Sequence, residues 1–404
     1  MKRWHLPVAW TGQDYEANVV IAEEDGLITS IEADAAGTET AVTLAGVSYP
    51  GFANTHSHVF HRLLRGHPGI PRGDFWSWRD AMYETAAALD PDSYRAVAAA
   101  TFREMLAAGY TSVVEFHYLH HQPDGTPYDD PNVMAEAVCE AASETGIRLT
   151  LLDTCYLSGG FGRSPVGTQL RFSDGTAEAW AERVSSWKPP PGVEVGAAIH
   201  SVRAVDPAQM AIVAAWADER PLHVHVSEQP EENRLCLDHY GKSPSGVLED
   251  AGILGSNVTV VHGTHLTPDD IRILSGAGVT ASICPTTERW LADGIGPTRE
   301  MADAGIELTI GSDSQAVIDP FEEMRLLELH QRLITGTTGS HDVSSLVQAG
   351  TAGRALEVGG TLDLVVVDPE SPRTAGVPTR GVPFAAISAD ITTVLVGGRR
   401  IDPT

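Results

Sequence analysis

Cysteine is scarce in this 404-residue chain, and basic side chains are outnumbered by acidic ones, 27 against 54. The four cysteines, Cys139, Cys155, Cys236 and Cys284, are far apart with no C-x-x-C pair. That spacing excludes a zinc knuckle and suggests no disulfide framework, so they read as reduced core residues. The formal charge of -27 excludes the basic face that phosphate backbones and anionic lipids require, so neither nucleic acid nor a membrane is an expected partner. An anionic substrate would need arginines placed locally. The start, Met1-Lys2-Arg3-Trp4-His5, enters Leu6-Pro7 without an apolar core of the signal-peptide kind, and no run of ~20 apolar residues occurs. A cytoplasmic location is the expectation. Low-complexity tracts and fixed-period repeats are also missing. The length exceeds one average domain but suits a barrel of ~250 residues with insertions and a small second domain.

What is present is a regular alternation of strand and helix patterns. Apolar runs occur near Tyr49 and at 112–116, 149–152, 195–199, 222–226, 258–261, 280–283 and 308–310. Helical periodicity is read over 92–108, 132–145, 177–187, 207–218 and 269–276. Strands buried on both sides read as continuous apolar runs, and alternation with helices favours a parallel sheet. Eight such units predict an α/β fold, a (β/α)8 TIM-type barrel over 49–357. Residues 1–48 and 358–404 instead show short β-rich stretches around turn glycines, such as Ala17–Ala22 and Leu362–Val367. Neither end is long enough to bury a face alone, so they are expected to pair into one small discontinuous β-sandwich domain.

Polar residues gather where the apolar runs end. Asn54-Thr55-His56-Ser57-His58 follows the first run, and two-residue spacing on a strand sends both imidazoles to one side. His223-Val224-His225-Val226-Ser227-Glu228, His262 and Gly311-Ser312-Asp313 end later runs. Barrels of this class keep their active sites at strand C-terminal ends. His56, His58, His225 and Asp313 together make a ligand set for one Zn²⁺ or another borderline divalent ion. Glu228, three residues past His225, suits proton transfer to a leaving group, and His262 suits polarising a substrate or holding an attacking water. A histidine at a strand end is more often structural, and His117, His120, His121, His223 and His265 are assigned that way or to supporting roles. Glu115 and Glu288 fit either a buried ion pair or the site. The connections at 59–83, 118–131 and 156–172 are long, and long connections in compact domains are usually functional or disordered. The first carries His61, Arg62, Arg65, Arg72, Trp76, Trp78 and Arg79, a content that argues against disorder, and all three connections are expected to form the substrate pocket.

These motifs resemble the amidohydrolase superfamily and its deaminase branch. Within that branch, Phe75-Trp76-Ser77-Trp78-Arg79-Asp80, Glu115 to His121, His200 to Val205 and Cys284-Pro285-Thr286-Thr287-Glu288 resemble the formimidoylglutamate deiminases over nearly the whole chain. The resemblance implies zinc on His56, His58, His225 and Asp313, with proton transfer and activation by Glu228 and His262. It also implies that Arg79, Tyr118, His200 and Arg203 hold the two carboxylates of N-formimino-L-glutamate, a small acidic substrate, and that the enzyme is a homodimer. The arginine fork suits bidentate carboxylate binding. Two positions depart from the family pattern. His61 stands where some members carry Gln, and Gln315 where His is expected; His61 is counted with the substrate-binding group. A related formimino or guanidino acid, a cyclic amidine such as guanine or an s-triazine, and a metal-binding protein without catalysis are the competing readings.

Overall fold

The computed structural model describes residues 1–35, 40–66 and 75–402; Arg72 lies outside the described residues. Two eight-stranded sheets organise the chain. One is built from both termini. Lys2–Trp10, Tyr15–Glu24, Leu27–Glu32, Val42–Thr43 and Val47–Pro50 join Leu364–Val367, Ile391–Val396 and Arg399–Arg400. The strand Leu364–Val367 shows how the period of two divides its residues. Leu364 and Val366 enter a local core with Leu6, Val19, Ile21 and Leu395, whereas Val365 and Val367 join Trp10, Val47 and Tyr49 in the large core shared with the barrel. At this strand the terminal sheet is thus buried on both faces.

The second sheet is parallel and runs in chain order: Phe52–Ser57, Tyr110–His117, Arg148–Cys155, Glu194–Ser201, Leu222–Val226, Val258–His262, Thr280–Ile283 and Glu307–Ile310. Its ends meet at a parallel bridge between Ser57 and Asp313. There Asp313 N donates to His56 O (3.0 Å) and His58 N donates to Asp313 O (3.1 Å). The result is a nearly closed barrel whose seam runs beside the histidines.

Two expectations are corrected here. The first barrel strand is not the segment near Tyr49, which pairs with Leu364–Val367 in the terminal sheet. The apolar run is split at Gly51. Gly51 N donates to Asp363 O (3.0 Å) and Phe52 N to Gly109 O (3.2 Å), so the chain changes sheets within one peptide. A Cβ on Gly51 would lie 2.1 Å from Thr111 Oγ1, so any larger residue would force the Thr111 side chain to move. The second correction concerns 59–83, which is not an open connection: Val59–Leu64 is a 3₁₀ helix and Phe75–Ala88 an α-helix. Trp78, Met82, Ala86 and Leu89 recur at helical spacing and are all buried, which is why this segment coils against the barrel mouth. The connections at 118–131 and 156–172 are irregular apart from the 3₁₀ turn Gly167–Phe172. All four cysteines are buried and unbonded. Among the described residues no helix is long and apolar enough to cross a membrane.

Candidate active site

His56 and His58 end the first barrel strand, His225 the fifth, and Asp313 follows the eighth. Their ligand atoms converge. His56 Nε2 and His58 Nε2 lie 3.4 and 3.5 Å from Asp313 Oδ1, and His225 Nε2 is 3.2 Å from His56 Nε2. Donors held 2.0–2.1 Å from a tetrahedral zinc ion lie roughly 3.3 Å apart, so the set fits such an ion. The far ring nitrogens agree. His58 Nδ1 donates to Phe116 O (2.9 Å) and His225 Nδ1 to His200 O (2.8 Å), which leaves each Nε2 as a bare lone pair facing the centre. Burial holds His56, His58 and His225 below the ordinary imidazole range, in the neutral form that a metal ligand needs. Burial opposes the charge of Asp313, but the hydrogen bond and charge of His56, with His262 and His58, keep its carboxyl well below the usual range.

The backbone around these side chains is strained. Ser227, His262, Asp313 and Gln315 all have φ between 42° and 70°, a left-handed region that non-glycine residues rarely occupy. A dense polar lattice holds it. Asn54 Nδ2 donates to Ser312 Oγ (2.6 Å), and its Oδ1 accepts from Ser312 N (3.0 Å). Gln315 Nε2 donates to Ser57 Oγ and to Asp313 O, both at 2.9 Å. Glu115 receives Ser57 Oγ (2.6 Å) and Val59 N (2.8 Å), and burial pushes its carboxyl up to about 8. Glu115 and Gln315 therefore brace the His-x-His strand and the Asp313 turn.

Beside the ligand set, His262 Nε2 lies 3.8 Å from both Glu228 Oε1 and Asp313 Oδ2, and its Nδ1 lies 3.6 Å from Glu288. Burial pushes the Glu228 carboxyl up to about 7, with His262 and Arg203 pulling the other way. His262 is buried too, yet Glu228, Glu288 and Asp313 raise it above its ordinary value.

A cavity of about 350 Å³ opens over this group. His61, Arg79, Tyr118, His200 and Arg203 all line it, together with His58, His225, Glu228, His262 and Asp313; His56 sits behind them, fully buried. His61 Nε2 bonds the Tyr118 hydroxyl (2.8 Å), and its ring packs on His58 and Trp78. Arg203 Nε donates to Glu232 (3.2 Å), and its guanidinium lies 3.9 Å from Glu228. Glu232 Oε2 in turn accepts from Glu228 N (3.2 Å). Sequence reading missed Glu232. Its signal was the i, i+4 spacing from Glu228 at the start of the helix Pro230–Tyr240. Tyr156, Phe161, Arg163 and Phe172 were also missed as individuals, although the connection that carries them was assigned to the pocket.

The remaining histidines lie elsewhere. His117, His120 and Asp153 form a second buried cluster, but Arg183 donates to both Asp153 oxygens (2.8 and 2.9 Å) and Trp180 Nε1 to one of them (2.8 Å). A cation there would meet a guanidinium. His121 pairs with Asp174 (3.2 Å) and His265 with the Asp293 carbonyl (2.8 Å).

Comparison with known proteins gives a consistent answer. The family described as "Amidohydrolase family" matches residues 47–401. Formimidoylglutamate deiminase of Pseudomonas aeruginosa is 35% identical, over 93% of this chain and 88% of that protein. A 5-methylthioadenosine/S-adenosylhomocysteine deaminase of Natronomonas pharaonis is 28% identical, over 95% of this chain and 88% of that protein. Among solved structures, an amidohydrolase from Brucella melitensis superposes with a TM-score of 0.89 at 31% identity, covering 99% of this chain and 94% of that one.

Proposed function

This chain belongs to the amidohydrolase family, and on that premise we propose that it is a zinc-dependent deiminase converting N-formimino-L-glutamate and water to N-formyl-L-glutamate and ammonia. The observation that carries the reading is that Arg79 and Arg203 line the same cavity as Glu228, His262 and Asp313, in a chain whose charge of -27 would otherwise repel a dianion. The 35% identity to a formimidoylglutamate deiminase supports the same substrate.

His56, His58, His225 and Asp313 would hold the ion. When bound, it supplies Lewis acidity that makes water a nucleophile near neutral pH. The rest is the work of side chains. Arg79, Tyr118, His200 and Arg203 fix the two carboxylates, the arginines through paired N–H donors, and present the formimino carbon to the buried end of the cavity. Glu228 takes a proton from the attacking water and returns one to the departing nitrogen, which leaves as ammonia while the carbon keeps the oxygen. A carboxyl near 7 suits both directions of that transfer. His262, steadied by Glu288 at 3.6 Å, faces Glu228 and Asp313 and supports charge that develops between them. Trp78, Tyr156 and Phe172 wall the cavity and limit bulk water, which strengthens each of these interactions.

A second reading, deamination of a ring amidine, rests on that aromatic wall and on the 28% identity to a nucleoside deaminase. One experiment separates the two. Ammonia release is measured from N-formimino-L-glutamate, from its aspartate homologue and from guanine. Turnover of the acyclic acids with none on guanine supports the proposal, and the reverse pattern sinks it.

A further inference from the structure

The connection between Tyr156 and Phe172 places a glycine-rich hairpin, Ser158-Gly159-Gly160-Phe161-Gly162-Arg163, at the cavity. Gly160 and Arg163 form an antiparallel bridge, and Gly159 N donates to Arg163 O (2.8 Å). Gly160 and Gly162 both take positive φ, so the turn depends on them. Phe161 packs its ring on His239 and Tyr240 at 5.6 and 5.8 Å, which fastens the hairpin to the helix Pro230–Tyr240. Arg163 is therefore presented by an anchored turn, although its own side chain is exposed.

Among the described residues, Arg163 lines the cavity without an ion pair or a side-chain hydrogen bond. That is unusual in a chain with twice as many acids as bases, where Arg203 on the same cavity is paired with Glu232. Depth also orders the cavity's arginines. Arg203 is half-buried and 3.9 Å from Glu228, near the reacting end, whereas Arg163 stands at the mouth. In an acidic N-formimino amino acid one carboxylate sits on the carbon bonded to the nitrogen that stays with the formyl product, and a second, at the tip of the side chain, lies farther from the reacting carbon.

We propose that Arg163 is a specificity-determining residue that draws in the side-chain carboxylate of an acidic N-formimino amino acid at the mouth of the cavity, before both carboxylates settle on Arg79, Tyr118, His200 and Arg203. The proposal rests on the acidic-substrate reading above. An exposed guanidinium acts mainly on encounter and ground-state binding, so its effect belongs in KM rather than kcat. Screening should weaken it, because the Debye length shrinks from about 10 Å at 0.1 M salt to about 3 Å at 1 M.

The test compares the wild-type zinc enzyme with Arg163→Gln. The Arg163 side chain is exposed and, among the described residues, makes no ion pair or hydrogen bond, so the variant is expected to fold and melt as the wild type does. Ammonia release from N-formimino-L-glutamate should show KM raised about three- to tenfold, with kcat within twofold. The gap should close toward 1 M salt, and KM for neutral formamidine should not move. A KM within twofold of wild type on the acidic substrate overturns the proposal. So does an equal rise on formamidine, which would assign Arg163 to the shape of the hairpin. A wild-type enzyme that turns over formamidine but no acidic formimino compound overturns the substrate reading first and this inference with it. That failure is visible before any variant is made.

Discussion

Replacing Arg203 by Met removes two things at once, and the structure says how to separate them. In the proposed reaction the guanidinium is a partner for substrate carboxylate; in the structure it is the partner of Glu232, which is 1% exposed and itself receives the backbone N–H of Glu228. Loss of the first role leaves a desolvated substrate charge unpaired, about 2–5 kcal/mol. At about 1.4 kcal/mol per decade, kcat/KM for N-formimino-L-glutamate should fall roughly 30- to several thousand-fold. Loss of the second role strands a buried carboxylate, which costs about 3–5 kcal/mol of stability, and loosens the segment that carries Glu228. Activity on formamidine, which needs no carboxylate site, should therefore fall in Arg203→Met as well. The double variant Arg203→Met/Glu232→Gln no longer strands the Glu232 charge, and Glu228 keeps His262 as a partner. It should recover most of the lost stability and most of the formamidine activity, while remaining poor on the acidic substrate. Denaturant midpoints and ammonia release on both substrates complete the cycle. Recovery of both activities in the double variant would refute a carboxylate-binding role for Arg203 and leave it a structural partner of Glu232.

Glu228→Gln should keep the metal but lose about 10²- to 10⁴-fold in kcat, the usual contribution of a general acid–base group; wild-type turnover with bound zinc would make Glu228 structural. Elemental analysis should find one equivalent of zinc per chain. Its removal by a chelator should abolish ammonia release and lower the melting temperature, because an ion at 100 times its Kd adds about 2.7 kcal/mol; a fully active metal-free protein would remove the mechanism. Acid should destabilise the fold partly through His120, which burial, followed by the charge of Arg183, pushes down to about 4. Its unfolded value is near 6.5, so between those limits the unfolded chain binds the extra proton and stability falls with pH by up to about 1.4 kcal/mol per unit. His120→Gln should flatten that slope by about one proton's worth, and an unchanged slope in denaturant melts from pH 6.5 to 4 would place the effect elsewhere.

Much of the barrel was legible because its strands are buried on both faces and read as unbroken apolar runs such as Val258–Val261. The terminal sheet was legible for a different reason: short β-rich pieces at both ends had no other partner. What misled was continuity. Val47 to Ala53 is one apolar run in sequence, but Gly51 passes it from one sheet to the other, and nothing in a hydrophobic pattern marks that handover except the glycine. The helix Phe75–Ala88 was overlooked although Trp78, Met82, Ala86 and Leu89 carry its period, because arginines and aromatics drew attention to the segment as a pocket wall. It proves to be both. In the site, the two histidines of the first strand were the easiest residues to find, since their geometry is local. The pairing of Arg203 with Glu232, 29 positions apart, depends on how neighbouring barrel units meet and had no local sign.

Gln315 shows why a departure from a family pattern need not weaken a site. Read alone, it stood where a histidine was expected. In the fold it joins the two edges of the barrel. Its amide donates to Ser57 on the first strand and to the Asp313 carbonyl after the last, while its carbonyl oxygen receives Ser312 Oγ (2.7 Å). Thr55 crosses the same seam, donating to the Ile310 carbonyl (2.9 Å). The candidate ligand set straddles that seam, with His56 and His58 on one side and Asp313 on the other. Closing the barrel and assembling the donors are therefore one event, and the positive-φ turn at Asp313 persists because closure over-determines it. A side chain at 315 is under pressure first to complete the seam. An amide, with a donor and an acceptor at fixed separation, meets Ser57, Asp313 and Ser312 together, whereas a neutral imidazole offers one donor to the two acceptors that Gln315 Nε2 serves.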